Sequence, residues 1–401
     1  MRTRRKATRA TRAAAPADLI IVTARGANRW RQGHPWIYRS DVAGGEAPPG
    51  IVRVEDPRGQ FLGQALWSPA SEIRLRLLTR DERPVDTAWW VERLAAALAR
   101  RAELAPPATA YRVVHGEGDG LPSLVVDRYG PYVVAQLLSA GLEAVRADVL
   151  AAITQVLSPA GILLRNDASV RRHERLPLAV EAPLGDVPDP LEVREGDVRY
   201  LAAPRSGQKT GAFLDQRENR GLMGRVARGR VLDVFCYHGL FTLHMAPRAE
   251  HVLAVDSSAD ALAVGARNAA LNGRQNVTWR EGNAFDVLRE LERSRARFDT
   301  IVLDPPAFAK DRTSVPAALR GYKEINLRAL KLLAPGGRLF TASCSFHVGR
   351  GEFLAMLAAA VADAGRAVTL ERLTGQPVDH PEILTIPETG YLKGVLLRAV
   401  D

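Results

Sequence analysis

Val231-Leu-Asp-Val-Phe-Cys-Tyr-His-Gly239 carries an apolar run, an acid within it and a glycine one turn later. That is the signature of a buried strand feeding a tight turn and a helix. It recurs downstream. Val252-Leu-Ala-Val-Asp256 also ends in an acid, and Glu281-Gly-Asn-Ala-Phe285 closes the run from Val277. Phe298-Asp-Thr-Ile-Val-Leu-Asp-Pro-Pro306 and Phe340-Thr-Ala-Ser-Cys-Ser-Phe346 close two more. Strands are predicted at Val231–Phe235, Val252–Asp256, Val277–Glu281, Thr300–Leu303, Arg338–Ala342, Val368–Arg372 and Tyr391–Ala399. Helical patterns fit between most of them, so residues 189–401 read as a doubly wound, mainly parallel α/β sheet of Rossmann-like type.

In such a sheet, ligands sit beyond the carboxyl ends of the strands. Asp233 can accept hydrogen bonds from a cationic amine there. Phe235, Tyr237 and Gly239 make the first turn, where the glycine permits close approach of backbone to ligand. Asp256, beside Ser257, suits the two ribose hydroxyls, because an ionised carboxylate is acceptor-only. Asn283 and Ala284 suit the edge and face of adenine. The first turn holds one glycine, not G-x-G-x-x-G, so a pyrophosphate cradle is unsupported. An adenosine ligand without phosphates fits better, and S-adenosylmethionine is that ligand. Taken singly, each acid is equally an ordinary helix cap.

Two more segments carry chemistry. Asp304-Pro-Pro306 is a rigid turn whose prolines lack donors, leaving carbonyls free for a ligand, with Asp304 and Pro305 bordering the cofactor. Cys344 lies at the end of the next strand, between Ser343 and Ser345. A buried cysteine is usually a small apolar filler. At this position a thiolate can instead attack C6 of a pyrimidine, making C5 nucleophilic towards a sulfonium methyl. Asp304 would stabilise the base edge, and no residue is identified as the base for the C5 proton. Arg205–Arg217 precedes a helix predicted at Glu218–Arg228. It reads either as a capped helix entry or as a lid whose Lys209, Thr210, Phe213 and Gln216 reach the cofactor.

Outward from this half, four units are expected: a basic arm (1–17), a small β-barrel (18–83), a middle α+β unit (84–188) and the α/β unit. Short β-like runs at Leu19–Thr23, Gly50–Glu55, Phe61–Trp67 and Ile73–Leu78 predict the barrel, with Gly33–Tyr38 as a turn or short helix. A helix is predicted over 86–104 and a proline-rich linker at Pro183–Pro190. The net charge is +10 over 401 residues, and six units lie in residues 1–15, leaving +4 on the rest. The body is therefore no general basic coat. Two cysteines rule out a disulfide framework and point to a reducing cytoplasm. No apolar run is long enough for a membrane span, Ala13–Ala15 is too short for an export signal, and no metal-ligand spacing occurs.

These residues in this order resemble the bacterial 23S rRNA large-subunit methyltransferase I family. The resemblance rests on Gly33-His-Pro-Trp-Ile37, His115-Gly-Glu-Gly-Asp-Gly-Leu-Pro122 with Val126-Asp-Arg-Tyr129, and Gln208-Lys-Thr-Gly-Ala-Phe213 with Asp215-Gln-Arg217. Asp233-Val-Phe-Cys-Tyr237, Asp304-Pro-Pro-Ala-Phe308 and Ser343-Cys-Ser345 complete it. It implies a PUA barrel, a Rossmann-like methyltransferase domain, a homodimer, and Cys344 as nucleophile of a cytosine-C5 RNA methyltransferase. Three departures stand out. Asn283 replaces a common acid, Tyr-His-Gly239 replaces Thr-Gly-Gly, and Ala307 stands where other cytosine-C5 RNA enzymes carry a second cysteine. RNA contacts are expected from the arm and from Arg29, Arg31 and Arg39 around Trp30, Trp36 and Tyr38; Trp36 could equally be core. The alternatives are nitrogen methylation of rRNA, such as guanine N7, and a non-catalytic RNA-binding ribosome-assembly factor.

Overall fold

The computed structural model describes residues 18–104 and 108–401; the basic arm lies outside them. The first unit is a six-stranded sheet with one helix, Ala24–Arg31, capped by the Thr23 hydroxyl. The four expected strands form, and two short ones, Trp36–Tyr38 and Val42–Gly44, flank them at the sheet ends. Gly33–Tyr38 is therefore partly strand, paired with Ile73–Thr79. Three residues carry no period of their own; the partner strand supplies the conformation.

The middle unit has strands at Ala110–His115, Leu124–Tyr129, Tyr132–Leu137, Gly161–Asn166 and Ala179–Leu184. Helices Thr87–Ala99 and Arg146–Leu157 pack on one face around Trp90, Leu94 and Ile153. The expected linker begins inside the edge strand, since Pro183 and Leu184 end Ala179–Leu184. A hairpin, Leu191–Glu195 with Val198–Ala202, follows across the two-residue turn Gly196-Asp197, where no strand was expected. Its Val193 and Tyr200 share a core with Tyr129, Leu163 and Leu214, so middle and C-terminal units are joined by packing.

The C-terminal sheet has seven strands. They are β1 (Gly229–Val234), β2 (Ala249–Asp256), β3 (Val277–Glu281), β4 (Phe298–Leu303), β5 (Leu333–Ser343), β6 (Val368–Thr374) and β7 (Lys393–Ala399). Their order is β3-β2-β1-β4-β5-β7-β6, with β7 antiparallel to both neighbours. Successive residues serve opposite faces: Leu232, Ile301 and Leu339 enter one core, and Val231, Val302 and Phe340 the other. Burial on both sides explains the unbroken apolar runs. The chain changes direction between β1 and β4, which opens a crevice beyond their carboxyl ends.

Candidate active site

Asp233 sits near the end of β1 and is 1% exposed. The Thr242 hydroxyl donates to its Oδ2 at 2.6 Å, while Oδ1 is buried without a partner. Burial, reinforced by the charges of Asp304 and Asp256, pushes this carboxyl up to about 7. A bare, buried acceptor of this kind fits an ammonium group. Phe235 and Tyr237 follow with φ of +67° and +49°, conformations that cost strain in aromatic residues. The turn is held by Phe235 and Cys236 N–H groups, both donating to Val255 O. Gly239 is also left-handed, at +74°, and a Cβ there would lie 2.4 Å from the Trp279 ring. Packing therefore accounts for the glycine.

Asp256, at the end of β2, accepts from the N–H groups of Tyr237 and Ser258, each at 2.9 Å. Ser257 is exposed, and the helix cap is its neighbour Ser258, which accepts from Ala261 N–H. Asn283 caps the helix Ala284–Arg293 by accepting from Phe285 N–H at 2.9 Å. Ala284 is buried beneath that cap. These residues border one rim of the crevice and fit an adenosine-type ligand: an orphaned carboxylate for an amine, a second carboxylate, and an amide at a helix start.

The segment ahead of the helix Arg217–Val226 divides. Gln216 donates to Asp304 Oδ1 at 2.8 Å and so fixes that carboxyl. Lys209 pairs with Asp215 at 2.6 Å and lies 4.5 Å from the Phe213 ring centroid; Phe213 meets Tyr237 edge-on at 5.3 Å. Thr210 is engaged by the middle unit. It is 1% exposed, and its hydroxyl donates to Asp127 of the middle unit at 2.6 Å beside Tyr129. Its contact is an inter-unit tie.

Asp304 is pushed up to about 6, by burial and then by the charge of Asp215. Cys344 is partly open, with Sγ 4.0 Å from the carbonyl of Pro305. Burial, then Asp304, pushes its thiol up to about 11. Its serine neighbours are structural: Ser343 and Ser345 hydroxyls lie 3.0 and 2.9 Å from Tyr322 OH. Sequence reasoning gave no role to Asp215, Tyr391 or Lys393. Tyr391 OH donates to Asp215 at 2.8 Å, and Lys393 donates to the carbonyls of Ser345 and Tyr391. Asp215 lay inside a quoted motif; the other two had only the strand pattern around them.

In the N-terminal unit, Trp30 is core, with its indole N–H donating to Pro35 O, and cannot stack on a base. Trp36 is half-buried and donates to Glu117 of the middle unit at 2.9 Å. Arg31 pairs with Asp56, and Arg29 lies over Tyr38 at 4.9 Å. Arg39 is exposed. Among the described residues, no group of three or more His, Cys, Asp or Glu is placed to hold a metal, and no helix is long and apolar enough to cross a membrane.

Comparison with known proteins supplies the rest. Residues 20–80 match a PUA-like domain and residues 134–398 an S-adenosylmethionine-dependent methyltransferase model. A chain described as an S-adenosylmethionine-dependent methyltransferase from Streptococcus mutans shares the fold, with TM-score 0.80, 20% identity, and coverage of 95% of this chain and 99% of that one. The ribosomal RNA large subunit methyltransferase I of Erwinia tasmaniensis is 38% identical over 95% of this chain and 99% of its own. That of Tolumonas auensis is 40% identical over 92% and 96%. With relatives this close over nearly its whole length, the chain belongs to the ribosomal RNA large subunit methyltransferase I family and uses S-adenosylmethionine as its methyl donor.

Proposed function

We propose that this protein methylates C5 of a cytosine in large-subunit ribosomal RNA through a covalent adduct between Cys344 and pyrimidine C6. One observation carries the reading: a partly open Cys344 at the carboxyl end of β5, its sulfur against the Pro305 carbonyl and beside Asp304, in the switch-point crevice. The relatives' name and the PUA-like match support ribosomal RNA as the substrate. Asp233, Asp256 and the Phe235–Gly239 turn would hold S-adenosylmethionine, which supplies an electrophilic methyl group.

The Cys344 thiolate forms the S–C6 bond, and C5 becomes an enamine-like carbon nucleophile. Asp304, poised near pH 6, can donate to N3 when protonated and so stabilise the developing charge. Once C5 carries the methyl group, loss of its proton expels the Cys344 sulfur and restores the thiolate. Free Cys236 and Cys344 accord with a reducing cytoplasm, and the same reading includes RNA contacts at Arg29, Arg31 and Arg39 and a homodimer.

The elevated Cys344 thiol favours a second reading, nitrogen methylation on the same site, in which Cys344→Ala remains active. RNA containing 5-fluorocytosine separates the two. Fluorine at C5 cannot leave as a proton does, so C5 chemistry traps a protein–RNA adduct that Cys344→Ser abolishes. An enzyme that methylates normal RNA yet gives no adduct overturns the C5 assignment.

A further inference from the structure

Lys393 opens β7 with its Cα paired to that of Ser343. It is 4% exposed. Its Nζ donates to Ser345 O at 2.7 Å and to Tyr391 O at 2.8 Å, and among the described residues it forms no ion pair. A buried ammonium held by two carbonyl dipoles and no carboxylate is costly, and a methionine of similar volume would suit the apolar face it shares with Val395 and Leu397. The position of the amine suggests what offsets that cost. It grips the carbonyl of the residue that follows Cys344, from beneath the turn.

We propose that the Lys393 ammonium is the counter-ion that stabilises the Cys344 thiolate, reaching it across the Cys344–Ser345 turn. This rests on the reading of Cys344 as the nucleophile. The charges around the thiol leave room for such a group. Asp304 beyond β4 and Asp215 ahead of the helix both disfavour the thiolate. Lys209 favours it, but its charge is already engaged by Asp215 at 2.6 Å. The phenols of Tyr322 and Tyr391 are pushed up by burial and stay neutral. After burial, the largest influence on Lys393 is Cys344 itself, which favours the ammonium, while Arg350 and Glu352 of the helix Arg350–Ala364 act on it in opposite directions. Lys393 is thus a buried cation of the cluster that, among the described residues, has no carboxylate within ion-pair distance. Burial pulls it down to about 8, so it keeps most of its charge at neutral pH and loses it above. It is a positioning residue in a second sense: its two bonds tie the Cys344 turn to Tyr391, whose hydroxyl holds Asp215.

The test reads the thiol without RNA. Full-length protein is alkylated with iodoacetamide in brief pulses across pH 7–12, and the Cys344 peptide is followed by mass spectrometry. Lys393→Met should slow alkylation at pH 8 at least tenfold and lower kcat for methylation while leaving the RNA KM unchanged. Lys393→Arg should restore the rate. Because a guanidinium keeps its charge where lysine loses it, it should also move the alkylation midpoint below that of the wild type. A folded Lys393→Met that alkylates like the wild type overturns the proposal. If that variant does not fold, Lys393→Arg decides, and an unmoved midpoint overturns it. A thiol that responds to position 393, with no 5-fluorocytosine adduct, removes the C5 chemistry and leaves the ion pair. An adduct with an unresponsive thiol does the reverse.

Discussion

Asp233 has one oxygen bonded to Thr242 and the other bare, in a place that keeps the carboxyl half-protonated near pH 7. A cationic ligand prefers the ionised form, so binding must release a proton wherever Asp233 is protonated beforehand. S-adenosylmethionine affinity should therefore rise as pH climbs through about 7, then level off. Calorimetry in two buffers of different ionisation enthalpy measures the released proton directly. Asp233→Asn keeps the shape and removes the charge. It should weaken binding by about 1.5–3 kcal/mol, the worth of a charged hydrogen bond, and flatten the pH dependence. A wild-type affinity that is flat between pH 6 and 8 would show that Asp233 does not meet the ammonium. Asp233 was legible because its strand is apolar and buried on both faces. Lys393 was not, because its meaning depends on a carbonyl 48 positions away in the chain.

The turn from Phe235 to Gly239 shows what pattern reading misses within an element. A glycine after a strand was read as room for a ligand, whereas the room is filled by Trp279 of β3. Gly239→Ala should combine left-handed strain with a clash, destabilising the protein by roughly 2–4 kcal/mol. Gly365→Ala, at a helix C-cap with φ +60° and open space around it, isolates the backbone part at about 1 kcal/mol. Denaturant unfolding of both variants checks the difference; equal losses would mean the indole yields freely. The central strands β1, β4, β5 and β7 were legible because continuous burial writes itself into composition, whereas the edge strands β3 and β6 are largely exposed and showed only as short β-like runs. The short strands Trp36–Tyr38 and Val42–Gly44, the helix Ala24–Arg31 and the hairpin after Pro190 were not. The two short strands exist through partners distant in the chain, which local periodicity does not record, whereas the helix with its Thr23 cap and the hairpin with its Gly196-Asp197 turn carry only short local signals.

Across the molecule, the three units meet at residues 375–392 and at the turn His115–Pro122. Asp379 is fully buried and takes both guanidinium nitrogens of Arg217, at 2.7 and 2.8 Å, together with the N–H of Arg112 from the middle unit. Arg101 donates to Asp119 and to Asp379 O, and Pro381 packs on Gly118 so closely that a Cβ there would lie 2.8 Å away. Thr385 donates to Gly33 O and Trp36 to Glu117, which brings the N-terminal unit into the same joint. Of the glycines in Gly116–Gly120, Gly118 thus serves the junction, while Gly116 and Gly120 take left-handed conformations within the turn. Burial would push Asp379 up, but His380 and Arg217 hold it far below the usual carboxylate range. A carboxyl with a depressed native pKa stabilises the fold above its unfolded value, and that stability is lost as pH falls below about 4. His115, driven down to about 2 by burial and Arg112, acts in the same direction from about pH 6.5 downward, since only the unfolded chain takes up its proton. Stability should therefore fall steadily from pH 7 to pH 3. Asp379→Asn leaves Arg217 buried against a neutral amide, and should cost about 3–5 kcal/mol at pH 7. It should also remove part of the acid sensitivity below pH 4, because that titration is gone. Urea midpoints of both proteins at pH 7, 5 and 3.5 test both parts. A variant that matches the wild type at pH 7 would show that the joint is held by packing rather than by its buried charges.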